Sequence, residues 1–430
     1  MSEIATHRLG DLLVSPPEYG ANATALPPDG VRPRYLRITD IDETGRLLHD
    51  DVRSIHDLMA EPYLLNSSDI VIARTGNTVG KSYIHDERNG PLAFAGYLVR
   101  FRIDPTKAEP QFIFQFLHTP NYYAWVQRTL RTGAQPNINA SEYKKLEVPA
   151  FSPTQQRRIA EILGTVDEAI EQTEALIAKQ QQVKAGLMHE LFTRGVTADG
   201  TLRPPPAEAP HLYQDCPLGP IPKQWEYTLL DDIAQRGSGH TPNRNHPEYW
   251  DGGIKWVSLA DSWRLDRVYI SETDKEISDL GITNSSAVLH PPGIVVLSRD
   301  AGVGKSAITT CEMAVSQHFM CWHCGPKLDT HYLYYWLQYR KREFENIATG
   351  STIPTIGLRY FKHYRLNVPT NVDEQKKIGV MLLSSDKGIQ TETAHLAKLR
   401  QQKQGLMQDL LTGRVRVDQP NGHSEIAPSS

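Results

Sequence analysis

The chain has little cysteine, no long apolar run and no excess of basic charge. Its four cysteines among 430 residues are unevenly spaced, which argues against a disulfide scaffold and fits a reducing, cytoplasmic compartment. No stretch approaches a membrane span, and the N-terminus lacks the apolar core of a signal peptide. Lys and Arg total 46 against 50 Asp and Glu, a formal net charge of −4. Nucleic-acid binders more often carry a basic excess, but clustering of charge outweighs its sum. The length leaves room for about two to four domains with full cores.

Complete catalytic motifs are missing as well. Gly302-Val-Gly-Lys-Ser306 resembles a phosphate-binding loop. Arg299 stands where that loop needs its first glycine, and Thr75 stands at the same place before Gly80-Lys81-Ser82. Cys311, His318, Cys321, His323 and Cys324 hint at zinc. Their segment reads as extended, where residues three apart face opposite sides. Aligning Pro105 with Pro326 sets Arg100 opposite Cys321 and Ile103 opposite Cys324. Strand packing, with the cysteines as small apolar side chains, is the better reading, so no metal site is expected. Adenine methyltransferases carry an Asp/Asn/Ser-Pro-Pro-aromatic motif; Ser15-Pro-Pro-Glu18 and His290-Pro-Pro-Gly293 both lack the aromatic. No catalytic set emerges from spacing, and the chain reads as non-catalytic.

What is present is a repeat. Lys184-Ala-Gly-Leu-Met-His-Glu-Leu-Phe-Thr193 returns as Lys403-Gln-Gly-Leu-Met-Gln-Asp-Leu-Leu-Thr412, an offset of 219. Gln156-Arg-Arg-Ile159 answers Gln375-Lys-Lys-Ile378 at the same offset. Val71–Ser82 pairs with Val295–Ser306, Tyr35–Asp40 with Trp256–Asp261, Thr132-Gly133 with Thr349-Gly350, and Pro136-Asn-Ile138 with Pro354-Thr-Ile356. Each copy has a variable front and a better-matched tail, so two related units share one frame.

Both tails read as long helices. Ile159, Leu163, Val166, Ile170, Thr173, Ile177, Gln180, Lys184, Leu187 and Leu191 alternate steps of four and three. Ile378, Leu382, Ser385, Ile389, Glu392, Leu396, Leu399, Lys403, Leu406 and Leu410 repeat the phase. This is a heptad seam whose polar members set register. Ser152-Pro-Thr-Gln155 and Asn371-Val-Asp-Glu374 read as capping boxes, and Gly195 and Gly413 as stops. Each helix should be about 60 Å long. A single helix would leave its seam open, so a shared antiparallel coiled coil is expected.

The fronts look strand-rich. Asp69-Ile-Val-Ile-Ala73 and Gly293-Ile-Val-Val-Leu297 read as buried strands, and Ile113–Leu117 and Tyr332–Leu337 as short helices. The expected layout is a globular unit over 1–150, a helix over 151–196 and a proline-rich linker over 197–216. A second unit over 217–370, a second helix over 371–415 and a disordered tail over 416–430 complete it. The fold class expected is α+β: two mixed α/β domains joined by two long antiparallel helices, with a pseudo-twofold internal repeat.

Particular landmarks carry a resemblance. Leu218-Gly-Pro-Ile-Pro-Lys-Gln-Trp225, then Gly239-His-Thr-Pro242, then Tyr249-Trp-Asp-Gly-Gly-Ile-Lys-Trp-Val257, with Leu366-Asn-Val-Pro369 before Glu374-Gln375, resemble the specificity subunits of type I restriction-modification systems. The resemblance runs from residue 1 to about 417. The first copy departs from it, having Tyr19-Gly-Ala-Asn22 and Arg34–Ile41 in place of the Thr-Pro and Tyr-Trp block. The resemblance implies a DNA-binding subunit without chemistry of its own. Its two target recognition domains would each read half of a split, asymmetric target in double-stranded DNA. The helices would space the domains and dock two methyltransferase subunits. S-adenosylmethionine, ATP and magnesium would be bound by methyltransferase and restriction partners, in a phage-defence complex. Candidate DNA contacts in the first unit are Asn22, Arg74, Lys81, Gln135, Asn137 and Asn139. In the second they are Ser238, His240, Thr241, Asn243, Arg244, Arg299, Lys305, Ser351, Thr352 and Arg359. Two other classes fit less well: the specificity module of a differently organised restriction enzyme, and a coiled-coil adaptor that binds no DNA.

Overall fold

The computed structural model describes residues 5–130, 136–350 and 354–415, together with Val417. The chain forms two compact units, residues 1–174 with 395–430, and residues 175–394. Each long helix therefore contributes to both units. The expected tail over 416–430 lies outside the described residues, Val417 excepted.

In the first unit, Thr6–Arg8 pairs antiparallel with Glu147–Pro149, bringing the start of the front beside its end. Between them lies an antiparallel sheet in the order Glu18–Tyr19, Leu98–Phe101, Ile70–Ala73, Ser82–Ile84. Both sheet faces are covered, so Ile70-Val-Ile-Ala73 is apolar at every position. Ile70 and Ile72 join a core with Phe112, Ile113 and Tyr122 from the helices Pro110–Phe116 and Pro120–Thr129. Val71 and Ala73 face the other way, into a core with Leu36, Leu92 and Phe94.

The second unit repeats the plan. Trp225–Leu229 pairs antiparallel with Arg365–Pro369. The sheet order is Ala234–Ser238, Phe319–Cys324, Val295–Ser298, Ser306–Thr309, with Tyr269–Ile270 added in parallel at the edge. Val295 and Leu297 join a core with Tyr332, Leu333 and Trp336 of the helix Thr330–Tyr339. Val296 turns to a second core.

Strand register refines the sequence alignment. Val71 is flanked by Arg100 and Tyr83, and Val296 by Cys321 and Ala307, so Arg100 and Cys321 occupy one position, as the alignment has it. Ile72 pairs with Ser82 and Leu297 with Ser306, however. The loop is one residue longer in the first unit. A gapless alignment sets Arg74 against Ser298; the hydrogen-bond ladder sets it against Arg299. Cys321 packs with Val296 and Phe319 in one core, while Cys324 packs against the core on the opposite face.

The long helices span Pro153–Thr193 and Val372–Leu410. Ser152 and Gln155 form a reciprocal cap, with Gln155 N donating to Ser152 Oγ at 3.3 Å and Ser152 N to Gln155 Oε1 at 3.1 Å. The second cap is only half of a box. Asn371 Oδ1 accepts from Asp373 N, but Glu374 turns instead to Arg203, Trp225 Nε1 and Val196 N. Gly195 and Gly413 end the helices with φ of +63° and +65°, the left-handed conformation in which glycine carries no Cβ penalty. Every seam residue named above is buried or half-buried.

Within the first unit, Asp167 pairs with Lys403 and Glu174 with Arg400, while Ile159 and Leu163 share a core with Met407, Leu410 and Leu411. Within the second, Lys184 pairs with Asp386, and Met188, Leu191 and Phe192 share a core with Ile378 and Leu382. In each unit the two helical segments run antiparallel. The linker is stapled down. Arg203 forms a buried two-bond pair with Glu374, Tyr213 Oη donates to Pro204 O, and Tyr213–Gln214 pairs with Ile221–Pro222.

Candidate nucleic-acid interface

At one end of each sheet three chain segments meet with the same backbone bonds. In the first unit Arg74 N donates to Tyr97 O at 3.0 Å, Ile138 N to Arg74 O at 2.9 Å, and Ala21 N to Phe94 O at 2.8 Å. In the second, Arg299 N donates to His318 O at 3.0 Å, Ile356 N to Arg299 O at 2.9 Å, and His240 N to Val315 O at 3.1 Å. The loop after the central strand closes alike: Gly80 N reaches Ala73 O and Gly304 N reaches Ser298 O. Both glycines hold positive φ, +94° and +84°, which a side chain would strain.

The arginine side chains follow the backbone. Arg74 Nε donates to Gly96 O at 3.2 Å, and Arg299 Nε to Gln317 O at 3.1 Å. Arg299 Nη1 also donates to Ile356 O, and the Arg74 guanidinium lies over the Tyr19 ring. Beside these, Asn22 is exposed next to Ala21, and Thr241 next to His240 donates to Gln317 Oε1 at 2.5 Å.

The structure thus gathers Asn22, Arg74 and Asn137 in one unit, and His240, Thr241 and Arg299 in the other. Asn137 Oδ1 is buried without a hydrogen-bond partner among the described residues. Ser238, Asn243 and Arg244 are exposed on the strand end and loop leading through His240, and Arg359 is exposed on the helix Leu358–Lys362. Lys81 and Lys305 do structural work. Lys81 Nζ donates to Ile41 O and pairs with Glu43, and Lys305 Nζ donates to Ser262 O. Asn139 caps the short helix Ala140–Tyr143 through Glu142 N, so its amide oxygen is occupied by a local duty. Gln135, Ser351 and Thr352 lie outside the described residues.

The family of type I restriction modification DNA specificity domains matches this sequence twice, over residues 59–181 and 222–401. The chain belongs to that family. It is 22% identical over 363 residues to the putative type I restriction enzyme MjaX specificity subunit of Methanocaldococcus jannaschii, covering 83% of this chain and 80% of that one. The MjaIX specificity subunit of the same organism is 28% identical over 174 residues, 40% of each chain. In fold it is similar to the crystal structure of a type I S subunit from M. genitalium, with a TM-score of 0.60 at 14% identity, covering 95% of this chain and 97% of that one. A chain solved in work on complex assembly and conformational transition of the type I R-M system gives 0.55 at 16% identity, covering 96% and 99%.

Further exposed residues were not singled out from the sequence. Tyr97 is exposed at the tip of the turn that joins Leu92–Phe94 to Leu98–Phe101, strands of two different sheets, and Gln317 and His318 occupy the tip of the matching turn between Met313–Val315 and Phe319–Cys324. His318, weighed in the sequence only as a metal ligand, meets Asp300 through Nδ1 at 2.7 Å. Trp263 is exposed with Arg264 4.2 Å and Arg267 5.2 Å from its ring centroid. Asp42 and Glu43 hold the matching place after Asp40 in the first unit. A Trp-Arg dipeptide inside a loop was the available signal. Among the described residues no helix is long and apolar enough to cross a membrane.

Proposed function

We propose that this chain is the non-catalytic DNA-recognition subunit of a cytoplasmic type I restriction-modification complex. Each unit reads one half of a bipartite, asymmetric target in double-stranded DNA. The long helices form an antiparallel, pseudo-twofold coiled coil that sets the spacing of the half-sites and docks two methyltransferase subunits. Restriction subunits join that assembly, and S-adenosylmethionine, ATP and magnesium are held by the partners.

One observation carries this reading: a single backbone frame occurs twice, with different side chains at its open edge. Identical frames give identical placement on a duplex, and different side chains give different sequence preference. The partner assignments draw support from the relatives' names and from the solved neighbour in a complex. Methylation mapping in cells carrying the intact system tests it. A motif of two unlike half-sites separated by a fixed unread spacer is expected. Methylation without a bipartite motif overturns it.

A further inference from the structure

We propose that the turn tips, Tyr97 in the first unit and Gln317-His318 in the second, are the side-chain positions that decide which bases each unit reads. The proposal rests on the DNA-recognition reading above and names residues within it.

Three observations lead there. The tips are fastened identically, since an arginine of the neighbouring loop donates through its backbone N–H and its Nε to successive carbonyls of the turn. Arg74 and Arg299 are therefore positioning residues, each holding the tip through its backbone N–H and its Nε. The tips nevertheless carry unlike side chains at the same place. Tyr97 is 60% exposed, Gln317 is exposed and His318 is half-buried.

The third observation is a directed hydrogen-bond chain in the second unit. Asp300 can only accept, so His318 Nδ1 donates to it at 2.7 Å. Nε2 of His318 then accepts from Gln317 Nε2 at 3.3 Å, and Gln317 Oε1 accepts from Thr241 Oγ1 at 2.5 Å. Three separate segments thus fix the orientation of one exposed amide. Among the described residues that amide keeps a second N–H on Nε2 and a second lone pair on Oε1 without a partner. This is the pattern a glutamine uses on the N6 and N7 edge of adenine in the major groove. A side chain held in place before binding loses little freedom on contact, so it discriminates well.

The experiment maps methylated motifs in cells carrying the intact system with Tyr97→Ala, Gln317→Ala, Gln317→Glu or His318→Ala. Binding competition on the purified complex accompanies it. Gln317→Ala should relax one base pair of one half-site, with discrimination falling about 5- to 150-fold, the range of a good base-edge contact. Gln317→Glu should move that preference from adenine toward cytosine. Tyr97→Ala should alter the other half-site only. Asp300→Asn should relax the same half as Gln317→Ala, a change of preference that a general loss of folding would not produce. Motifs unchanged in all variants, or uniform weakening on every sequence, overturn the assignment to the turn tips while leaving the parent reading intact. Absence of a bipartite motif with the unmutated complex overturns both.

Discussion

The ammonium of Lys403 lies 2.7 Å from the carboxylate of Asp167, inside the helical seam of the first unit. Its repeat partner, Lys184, meets Asp386 at 2.5 Å in the second unit, and both pairs are spaced by the same 219 residues. Gln115 Nε2 completes the Asp167 site and Tyr335 Oη completes the Asp386 site. A half-buried charge still favours its partner, and that preference makes one alignment of two helices better than its neighbours.

Charge reversal tests that pair. Lys403→Asp alone should destabilise the protein by about 1–3 kcal/mol, below the cost of breaking a fully buried pair because these side chains are partly exposed. Adding Asp167→Lys should recover most of the loss. Urea titration of the single and double variants measures it, and purely additive losses would count against a coupled pair.

Glu374 should be among the most sensitive polar positions. It is buried and accepts from Arg203, Trp225 Nε1 and Val196 N. Glu374→Ala leaves the Arg203 charge without its partner and should cost about 3–5 kcal/mol. Gly195→Ala should act through the same site, because its Cβ would fall 2.3 Å from Glu374 Oε1 at a φ of +63°. Denaturant midpoints of both variants give the check, against Ser152→Ala at about 1 kcal/mol for the loss of an exposed cap.

Low pH should weaken the first unit through His118. Its ring is enclosed beside Phe114 and Gly45, Nδ1 donates to Phe114 O, and burial pushes its pKa down to about 4 from 6.5. The unfolded chain therefore takes up a proton between those values that the folded chain refuses. The stability from a neutral His118 is complete above about pH 6.5 and is lost as pH falls toward 4, at up to about 1.4 kcal/mol per pH unit. Melting curves at pH 7.5 and 5.5 should separate, and His118→Gln should narrow the gap.

Cys321 and Cys324 should be slow to alkylate in the folded protein. Burial pushes both thiols up to about 12 from 9.0, so little of the reactive thiolate forms at pH 8. The sign predicts a second effect: stability is lost as pH rises above about 9, where the unfolded thiols ionise first. Mass spectrometry of iodoacetamide adducts, native against denatured, reports the first. Replacing both with Ser should leave DNA binding nearly intact, and stoichiometric zinc lost together with binding would refute the packing role.

Spacing follows if the helices hold the readers apart. Inserting one heptad in each helix adds about 10 Å, close to 3 base pairs at 3.4 Å each. The unread spacer of the mapped motif should lengthen while both half-sites stay unchanged. Altered half-sites would contradict the division of labour.

Much of this protein is dictated by sequence alone. The seam at steps of four and three, the Ser152 cap and the Gly195 and Gly413 stops are local signals, because helix period and end chemistry act over a few residues. The repeat and the all-apolar central strands were legible for the same reason. Tertiary structure alone decided the rest. Glu374 abandoned its capping role because Arg203 and Trp225, distant in sequence, offered a buried carboxylate better partners. The equivalence of Arg74 and Arg299 depended on a one-residue difference in loop length that only strand register reveals. The proposed reading edge is assembled from Thr241, Asp300, Gln317 and His318, four residues from three segments. No local pattern announces such a set, since hydrogen-bond geometry between segments exists only once the sheet has closed.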